Sequence, residues 1–157
     1  MEIRLRDIDA GNWRQALRLE LNPDQEHFVA SNVHSLAEAY VKPELPTYRP
    51  LAIYDGEQLV GFAMYSCDPA SAKRHYVQRL MIDRRFQGRG YGRAAMLELL
   101  KLIRENERCE EISLTVDPDN VGARRLYLSL GFEGTGAMLD DQEIFTLRLN
   151  RTREEEV

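Results

Sequence analysis

Two groups of residues in this 157-residue chain have the types and spacing to do chemistry. The first is Gln87-Gly88-Arg89-Gly90-Tyr91-Gly92, which follows an apolar run from Tyr76 to Ile82 and opens a long helical pattern. Glycines at alternate positions let the backbone turn tightly and leave N–H groups free to point at one ligand. A helix starting there adds its own unpaired N–H groups and the positive end of its dipole. The loop therefore suits a phosphate-like anion, although the same glycines also serve a tight strand-to-helix turn with no ligand. Neither commoner anion loop is present, since no Gly-Lys-Ser/Thr ending occurs and the glycine spacing is not G-x-G-x-x-G. The second group is Asn120 and Tyr127, seven residues apart and so on nearly the same side of one helix. A phenol can give a proton to a departing thiolate, and an asparagine both donates and accepts hydrogen bonds to an amide. Taken singly, Asn120 also reads as a helix cap and Tyr127 as a core aromatic.

The elements that must position these groups follow from hydrophobic periodicity. Ile3 and Leu5 alternate with charged residues as in a half-buried strand. Asn12 then reads as the N-cap of a helix carrying Trp13, Ala16, Leu17 and Leu21, which stops at Asn22-Pro23. Residues 24–29 read as a polar connector that either lines a substrate mouth or is simply solvated. A second helix is capped by Ser35 with Glu38 completing a capping box, and Pro43 closes it. Leu51–Tyr54 and Leu59–Tyr65 form a hairpin about Asp55-Gly56, with Gly61 marking a bulge. Cys67–Arg74 is expected to be a loop containing Pro69, before a strand over His75–Ile82.

Beyond the glycine turn, Ala95, Met96, Leu99 and Ile103 fall on one helical face. Glu111–Val116 is a further strand, and the helical crossover makes it parallel to the His75–Ile82 strand. Asn120 opens a last helix whose stripe is Ala123, Leu126, Tyr127 and Leu130, with Gly131 as C-cap. A final hairpin joins Ala137–Leu139 to Ile144–Leu149 through Asp140-Asp141, and residues 151–157 are a charged tail.

Composition narrows the class. A hydrophobic share of 43% over 157 residues fits one core, placing a single domain at residues 1–150. No apolar run approaches a membrane span and no signal peptide opens the chain, so the expectation is a cytoplasmic protein without membrane partners. A net charge of −5 gives no footprint for nucleic acid and tolerates cationic small molecules. Cys67 and Cys109 stand far apart, and His27, His34 and His75 are dispersed, so neither a metal site nor a Cys/His nucleophile has a local signature.

The glycine stretch and Asn120-Val121-Gly122-Ala123-Arg124-Arg125-Leu126-Tyr127-Leu128-Ser129-Leu130-Gly131-Phe132 together resemble the Gcn5-related N-acetyltransferase (GNAT) superfamily. Its pattern is Arg/Gln-x-x-Gly-x-Gly/Ala after an apolar strand, then Asn-x-x-Ala-x-x-Leu-Tyr-x-x-x-Gly-Phe. The resemblance implies an α/β fold, a mostly antiparallel sheet with one parallel strand pair, flanked by helices. It implies direct acetyl transfer from acetyl-CoA to a primary amine, with no covalent enzyme intermediate and no metal, and a homodimer as a family-level expectation. By the same carry-over the pyrophosphate sits on the amides of Gly88, Arg89, Gly90, Tyr91, Gly92 and Arg93, with Gln87 at the position usually held by Arg or Gln. The backbone of Leu80, Met81 and Ile82 pairs with the pantetheine arm, a strand N–H polarises the acetyl carbonyl, Asn120 contacts the arm, and Tyr127 protonates the leaving thiolate.

Residues 22–32, with Ser35–Ala39 and Gly61–Tyr65, are similar to bacterial diamine or spermidine/spermine N-acetyltransferases. Such substrates need carboxylates, and Glu20, Asp24 and Glu26 are the expected ones, unless they form only a solvated acidic face. One departure stands out: related polyamine enzymes carry a carboxylate two residues before the strand triplet, where this chain has Gln78. Deprotonation then runs through water to Asp83, Asp117 or Glu26, or the amine arrives neutral, and the base stays unassigned. The alternatives are another small amine, an antibiotic or a protein N-terminus as acceptor, or a CoA-binding module without turnover.

Overall fold

The structure, a computed structural model, describes residues 1–42, 47–68 and 70–149. The expected helix stop at Pro43, the loop at Pro69 and the charged tail at 151–157 lie outside the described residues. Within them, seven strands form one sheet: β1 (Ile3–Asp7), β2 (Arg49–Asp55), β3 (Gln58–Asp68), β4 (Ser71–Ile82), β5 (Glu111–Val116), β6 (Glu133–Leu139) and β7 (Gln142–Arg148). The spatial order is β1-β2-β3-β4-β5-β7-β6, antiparallel throughout except for β4 and β5. That parallel pair is the expected one, joined by α3 (Tyr91–Arg104). The other helices are α1 (Trp13–Leu17), α2 (Asn32–Val41) and α4 (Val121–Ser129). None of the helices among the described residues is long and apolar enough to cross a membrane.

Alternation along the strands sorts side chains to two faces, each with its own core. Leu51, Ile53, Val60, Ala63 and Val77 pack with Ala95, Met96, Leu99 and Ile103 of α3 and with Tyr127 of α4. Ala52, Tyr54, Phe62, Met64 and Met81 pack on the opposite face with Ala16 of α1, and Leu36 and Ala39 of α2 join them. Each large apolar side chain buried this way stabilises the fold by about 1.5–3 kcal/mol before chain entropy is counted.

Of the register shifts in the sheet, two bulges in its central strands bear on the site. Opposite β2, the register jumps from Ile53↔Gly61 to Tyr54↔Leu59, which leaves Val60 as the extra residue and bears out the expected bulge. A Cβ at Gly61 would lie 2.4 Å from the Met81 carbonyl oxygen, so only glycine lets β3 and β4 come this close. The second bulge was not legible in the sequence. Met64↔Arg79 is followed by Tyr65↔Val77, so Gln78 is extra, and every later side chain of β4 changes face. Val77 thus packs under α3, while Arg79 points to α2 and Met81 joins the other core.

Four local expectations are corrected. Residues 67–74 are mostly strand, because Cys67↔His75 and Ser66↔Tyr76 extend the β3–β4 ladder; the Thr47 hydroxyl clasps both backbone groups of Cys67. Helix α1 ends at Leu17 rather than running to Leu21; Asn12 holds its N-cap position as expected, but its side chain makes no cap bond and instead accepts from Asp9 N–H and donates to Asp7 C=O, closing the turn after β1. The cap of α2 is Ser31, whose hydroxyl accepts from His34 N–H at 3.1 Å, while Ser35 is fully buried one turn later and Glu38 makes no capping box. The polar connector is a 3-10 helix (Pro23–Phe28), and the capping box belongs to it, between Asn22 and Gln25. The final hairpin is as expected about Asp140-Asp141, both at positive φ (48° and 64°), though β6 begins at Glu133 rather than Ala137.

Gly61→Ala is expected to cost about 1–3 kcal/mol in urea unfolding, because a backbone oxygen leaves no flexible atom to yield. His75 sets an acid dependence. It is 3% exposed, stacked on Tyr65, with Nδ1 lacking any partner among the described residues, and burial pushes its pKa below 6.5. Below pH 6.5 the unfolded chain binds a proton that the folded chain refuses, so stability falls with falling pH by up to about 1.4 kcal/mol per unit. His75→Phe is expected to flatten that slope as pH falls from 6.5, as read from urea midpoints.

Candidate functional site

The glycine turn is held from below by a buried carboxylate. Asp83, 2% exposed, accepts from Arg85 Nε (2.8 Å) and N–H (2.9 Å) through Oδ1 and from Glu20 N–H (2.9 Å) through Oδ2. Burial pulls its pKa up, but the Arg85 side chain and the two backbone donors outweigh that and hold it below the usual carboxylate range. Above this anchor, Gly88 (φ 76°) and Gly90 (φ 86°) take the left-handed conformation, and Gly90 is the N-cap of α3. No neighbour would crowd a Cβ at either position, so glycine is required there by backbone conformation alone. Tyr91, Gly92 and Arg93 then form the first turn of the helix, with N–H groups that have no intrahelical acceptor.

Gln87 does something other than reach into the loop. Its Nε2 donates to Ile82 C=O and to Gln25 Oε1, both at 3.0 Å, and its Oε1 accepts from Asn22 Nδ2 at 3.3 Å. One side chain therefore ties the end of β4 to the capping box of the 3-10 helix.

Beside this turn the sheet is split. β4 and β5 pair from Arg74↔Glu111 to Val77↔Leu114 and no further, because the extra Gln78 swings β4 away. Thr115 and Val116 pair only with β7, and Leu80–Ile82 keep only β3 as a ladder partner. The strand edge from 80 to 82 is thus open to an extended ligand, in the geometry of strand addition.

A groove of about 270 Å³ follows this edge. Its walls include Leu80, Met81, Ile82, Gln87, Gly88, Gly90, Tyr91, Gly92, Asn120 and Tyr127, all residues expected at the site. Arg89 and Arg93 are not among its lining residues: the Arg89 guanidinium lies 5.9 Å from the Phe86 ring centroid, and Arg93 Nη1 donates to Ser129 Oγ at 2.7 Å. Asn120 caps α4 through Oδ1, accepting from Ala123 N–H at 3.3 Å, and also lines the groove, with its Nδ2 making no hydrogen bond among the described residues. Capping and ligand contact are therefore compatible in one residue.

A second cavity of about 300 Å³ opens on the other side of Tyr127 and shares Phe28, Val29, Leu80, Asn120, Ala123 and Tyr127 with the first. Its own walls bring together His27, Gln78, Arg79, Asp117, Asp140 and Gln142. Tyr127 is 9% exposed at the junction, and burial pushes its pKa up to about 12, so its phenol keeps its proton through the neutral range. Arg79 is neutralised in place: Nε donates to Ser35 Oγ (3.1 Å), Nη2 faces Glu38 (3.5 Å), and Nη1 donates to the bulged Gln78 C=O (2.9 Å). Gln78 donates through Nε2 to the buried Ser66 hydroxyl, and its Oε1 is buried without a partner among the described residues.

The structure does not bring the expected acidic residues into this cavity. Glu20 pairs with Arg84 at 3.1 Å, and Asp24 and Glu26 are exposed on the 3-10 helix outside both sets of lining residues. Asp83 faces its own three donors instead. Residues 27–29 of the connector do line this mouth, as one of the two expected readings had it. Asp140 and Gln142 are the wall residues that sequence reasoning missed; their separation along the chain from the rest leaves no spacing signal, and only the turn at Asp140-Asp141 was visible.

Comparison with known proteins agrees with this geometry. Residues 12–132 match the acetyltransferase (GNAT) family. The chain is 30% identical over 143 residues to a spermine/spermidine N(1)-acetyltransferase of Bacillus subtilis (strain 168), covering 88% of this chain and 92% of that protein. Among solved structures it is similar to spermidine N-acetyltransferase from Vibrio cholerae in complex with CoA and spermine (TM-score 0.73, 20% identity, 92% of this chain and 93% of that one). It is also similar to aminoglycoside acetyltransferase AAC(6')-Ib in complex with coenzyme A (TM-score 0.77, 14% identity, 94% and 95% covered). With a family match over most of its length, a relative at 30% identity and a seven-stranded sheet split at β4 and β5, this chain belongs to the acetyltransferase (GNAT) family.

Proposed function

We propose that the chain moves the acetyl group of acetyl-CoA directly to a primary amine of a polyamine such as spermidine, spermine or a short diamine. The observation that carries this is the meeting of two cavities at Tyr127: one runs along an anion loop and an open strand edge, the other holds Asp117 and Asp140. A diphosphate fits the N–H groups from Gly88 to Arg93, and an extended amide arm fits the backbone of Leu80–Ile82. A strand N–H aimed at the acetyl carbonyl stabilises the charge that develops on its oxygen when the amine attacks.

Tyr127 then serves the leaving sulfur. With its pKa pushed up to about 12, the phenol is protonated at working pH and donates a hydrogen bond to the developing thiolate in a site shielded from water. On the acceptor side Asp117 already takes Asp119 N–H on Oδ1, which leaves Oδ2 for a cation. Asp140, at the hairpin turn, also lines the cavity, so a chain bearing two ammonium groups finds two carboxylates. Asp24 and Glu26 add negative potential to the approach, while Glu20 is occupied by Arg84. The names of the Bacillus subtilis and Vibrio cholerae proteins support the same substrate class.

Tyr127→Phe is expected to lower kcat by about 10- to 1000-fold with little change in KM for acetyl-CoA, measured by thiol release. No basic limb due to Tyr127 is expected in the wild-type profile below pH 10. Asp117→Asn and Asp140→Asn are each expected to raise KM for spermidine by about 3- to 30-fold and to leave KM for acetyl-CoA unchanged. The substrate class is tested with a panel of spermidine, spermine, diamines, an aminoglycoside and a peptide; preference for either of the last two would overturn the polyamine reading.

A further inference from the structure

The amine must lose a proton before it can attack, and the β4 position facing the acceptor cavity is an amide, which cannot take one. We propose that His27 is the group that receives this proton. The inference rests on the amine-acetylation reading above and names a catalytic residue within it.

The charged and titratable groups that face the same cavity narrow the choice. Arg79 of β4 is a committed donor, held by Ser35, Glu38 and the Gln78 carbonyl. Tyr127 of α4 keeps its own proton. Asp117 after β5 and Asp140 of the β6–β7 turn are the carboxylates assigned above to the substrate's ammonium groups, so neither is left to take the proton. Asp24 and Glu26 share the 3-10 helix with His27 but do not line the cavity. His27 does line it, at the last turn of that helix, with its ring packed 4.1 Å from the Phe28 ring. Neither ring nitrogen has a hydrogen-bond partner among the described residues, so one nitrogen is free to accept. The ring is exposed, so a proton taken from the cavity passes directly to solvent.

The step balances. The ammonium gives one proton to the imidazole and becomes an amine; its lone pair forms the N–C bond at the acetyl carbon. The C–S bond breaks with its electron pair on sulfur, which ends as a thiol. The second nitrogen proton, lost as the amide forms, replaces the one that Tyr127 gives to the sulfur, and the net product is one proton, released from the imidazolium to water.

The experiment is the pH profile of kcat/KM for the best amine of the panel, in wild type and in His27→Gln, His27→Asn and Asp117→Asn, with urea midpoints to check folding. At pH 7 both His27 variants are expected to fall by about 100-fold. Their deficit should shrink to less than about tenfold by pH 9.5, where free amine is plentiful and no acceptor is needed. Asp117→Asn should keep the acidic limb of the wild type and change KM. Near wild-type rates in His27→Gln at pH 7 would overturn the assignment. So would a deficit constant with pH, which marks a packing role through Phe28, or loss of the acidic limb in Asp117→Asn instead. Failure of wild type itself to release thiol with any amine would instead overturn the substrate reading, a result obtained before any variant is made.

Discussion

Everything at this site depends on one extra residue in a strand. Antiparallel pairing to β3 and parallel pairing to β5 both favour a continuous β4, and a continuous β4 would close the sheet. Gln78 enters with no counterpart on β3, the pairing to β5 stops at Val77, and the remaining backbone edge is left without a strand. The irregularity is secured on both sides. The Arg79 guanidinium holds the bulged carbonyl and anchors it to α2, and the Gln78 amide is fastened to Ser66. Gly61, where β3 crowds the Met81 carbonyl, lets the sheet stay tight just below the opening.

The same slip decides what the two cavities contain. Because side chains after Gln78 change face, Arg79 meets Glu38 rather than the α3 core, and its charge is compensated where it borders the acceptor cavity. Across the junction, Gln87 joins the end of β4 to Asn22 and Gln25, so the anion loop and the 3-10 helix that roofs the acceptor side share one hydrogen-bond network. Asp83 completes it by taking the Glu20 N–H, tying the segment after α1 to the same turn. Groove and cavity are therefore parts of one hydrogen-bonded constellation, the arrangement that pre-organised donors require.

The parts of this site that were legible in the sequence are those built from consecutive residues. A helix N-terminus reads directly from Gly88-Arg89-Gly90-Tyr91-Gly92, and the two-turn spacing of Asn120 and Tyr127 puts them on one side of α4. Periodicity likewise located α3, β5 and the Asp140-Asp141 turn. The Gln78 bulge was hidden because an alternating pattern with one residue added still alternates, in the opposite sense. Ser31 and Ser35 both offer a cap, and only tertiary demand distinguishes them: Arg79 needs the second hydroxyl, so the first caps the helix. Residues 71–74 looked like loop because an exposed ribbon buries little, and their pairing is sparse: Ser71 meets Asp68 across a register shift and Arg74 meets Glu111 of β5. The acceptor walls draw on positions 27, 79, 117 and 140, which local pattern cannot bring together.

The sheet has two outer edges, and both are unsuited to accepting another strand. β1 carries Arg4 and Arg6, engaged with Glu2 and Glu57, and β6 is bent by residues 135–137 crowding opposite Ile144, with Gly136 at positive φ. Among the described residues, the uncharged stretch Leu80–Ile82, which has no second ladder partner and whose last carbonyl is held by Gln87, lies along the groove, where a slender arm fits. The molecule thus keeps the adhesiveness of an unpaired strand for its own ligand while denying it to neighbouring molecules, which separates recognition from aggregation within a single sheet.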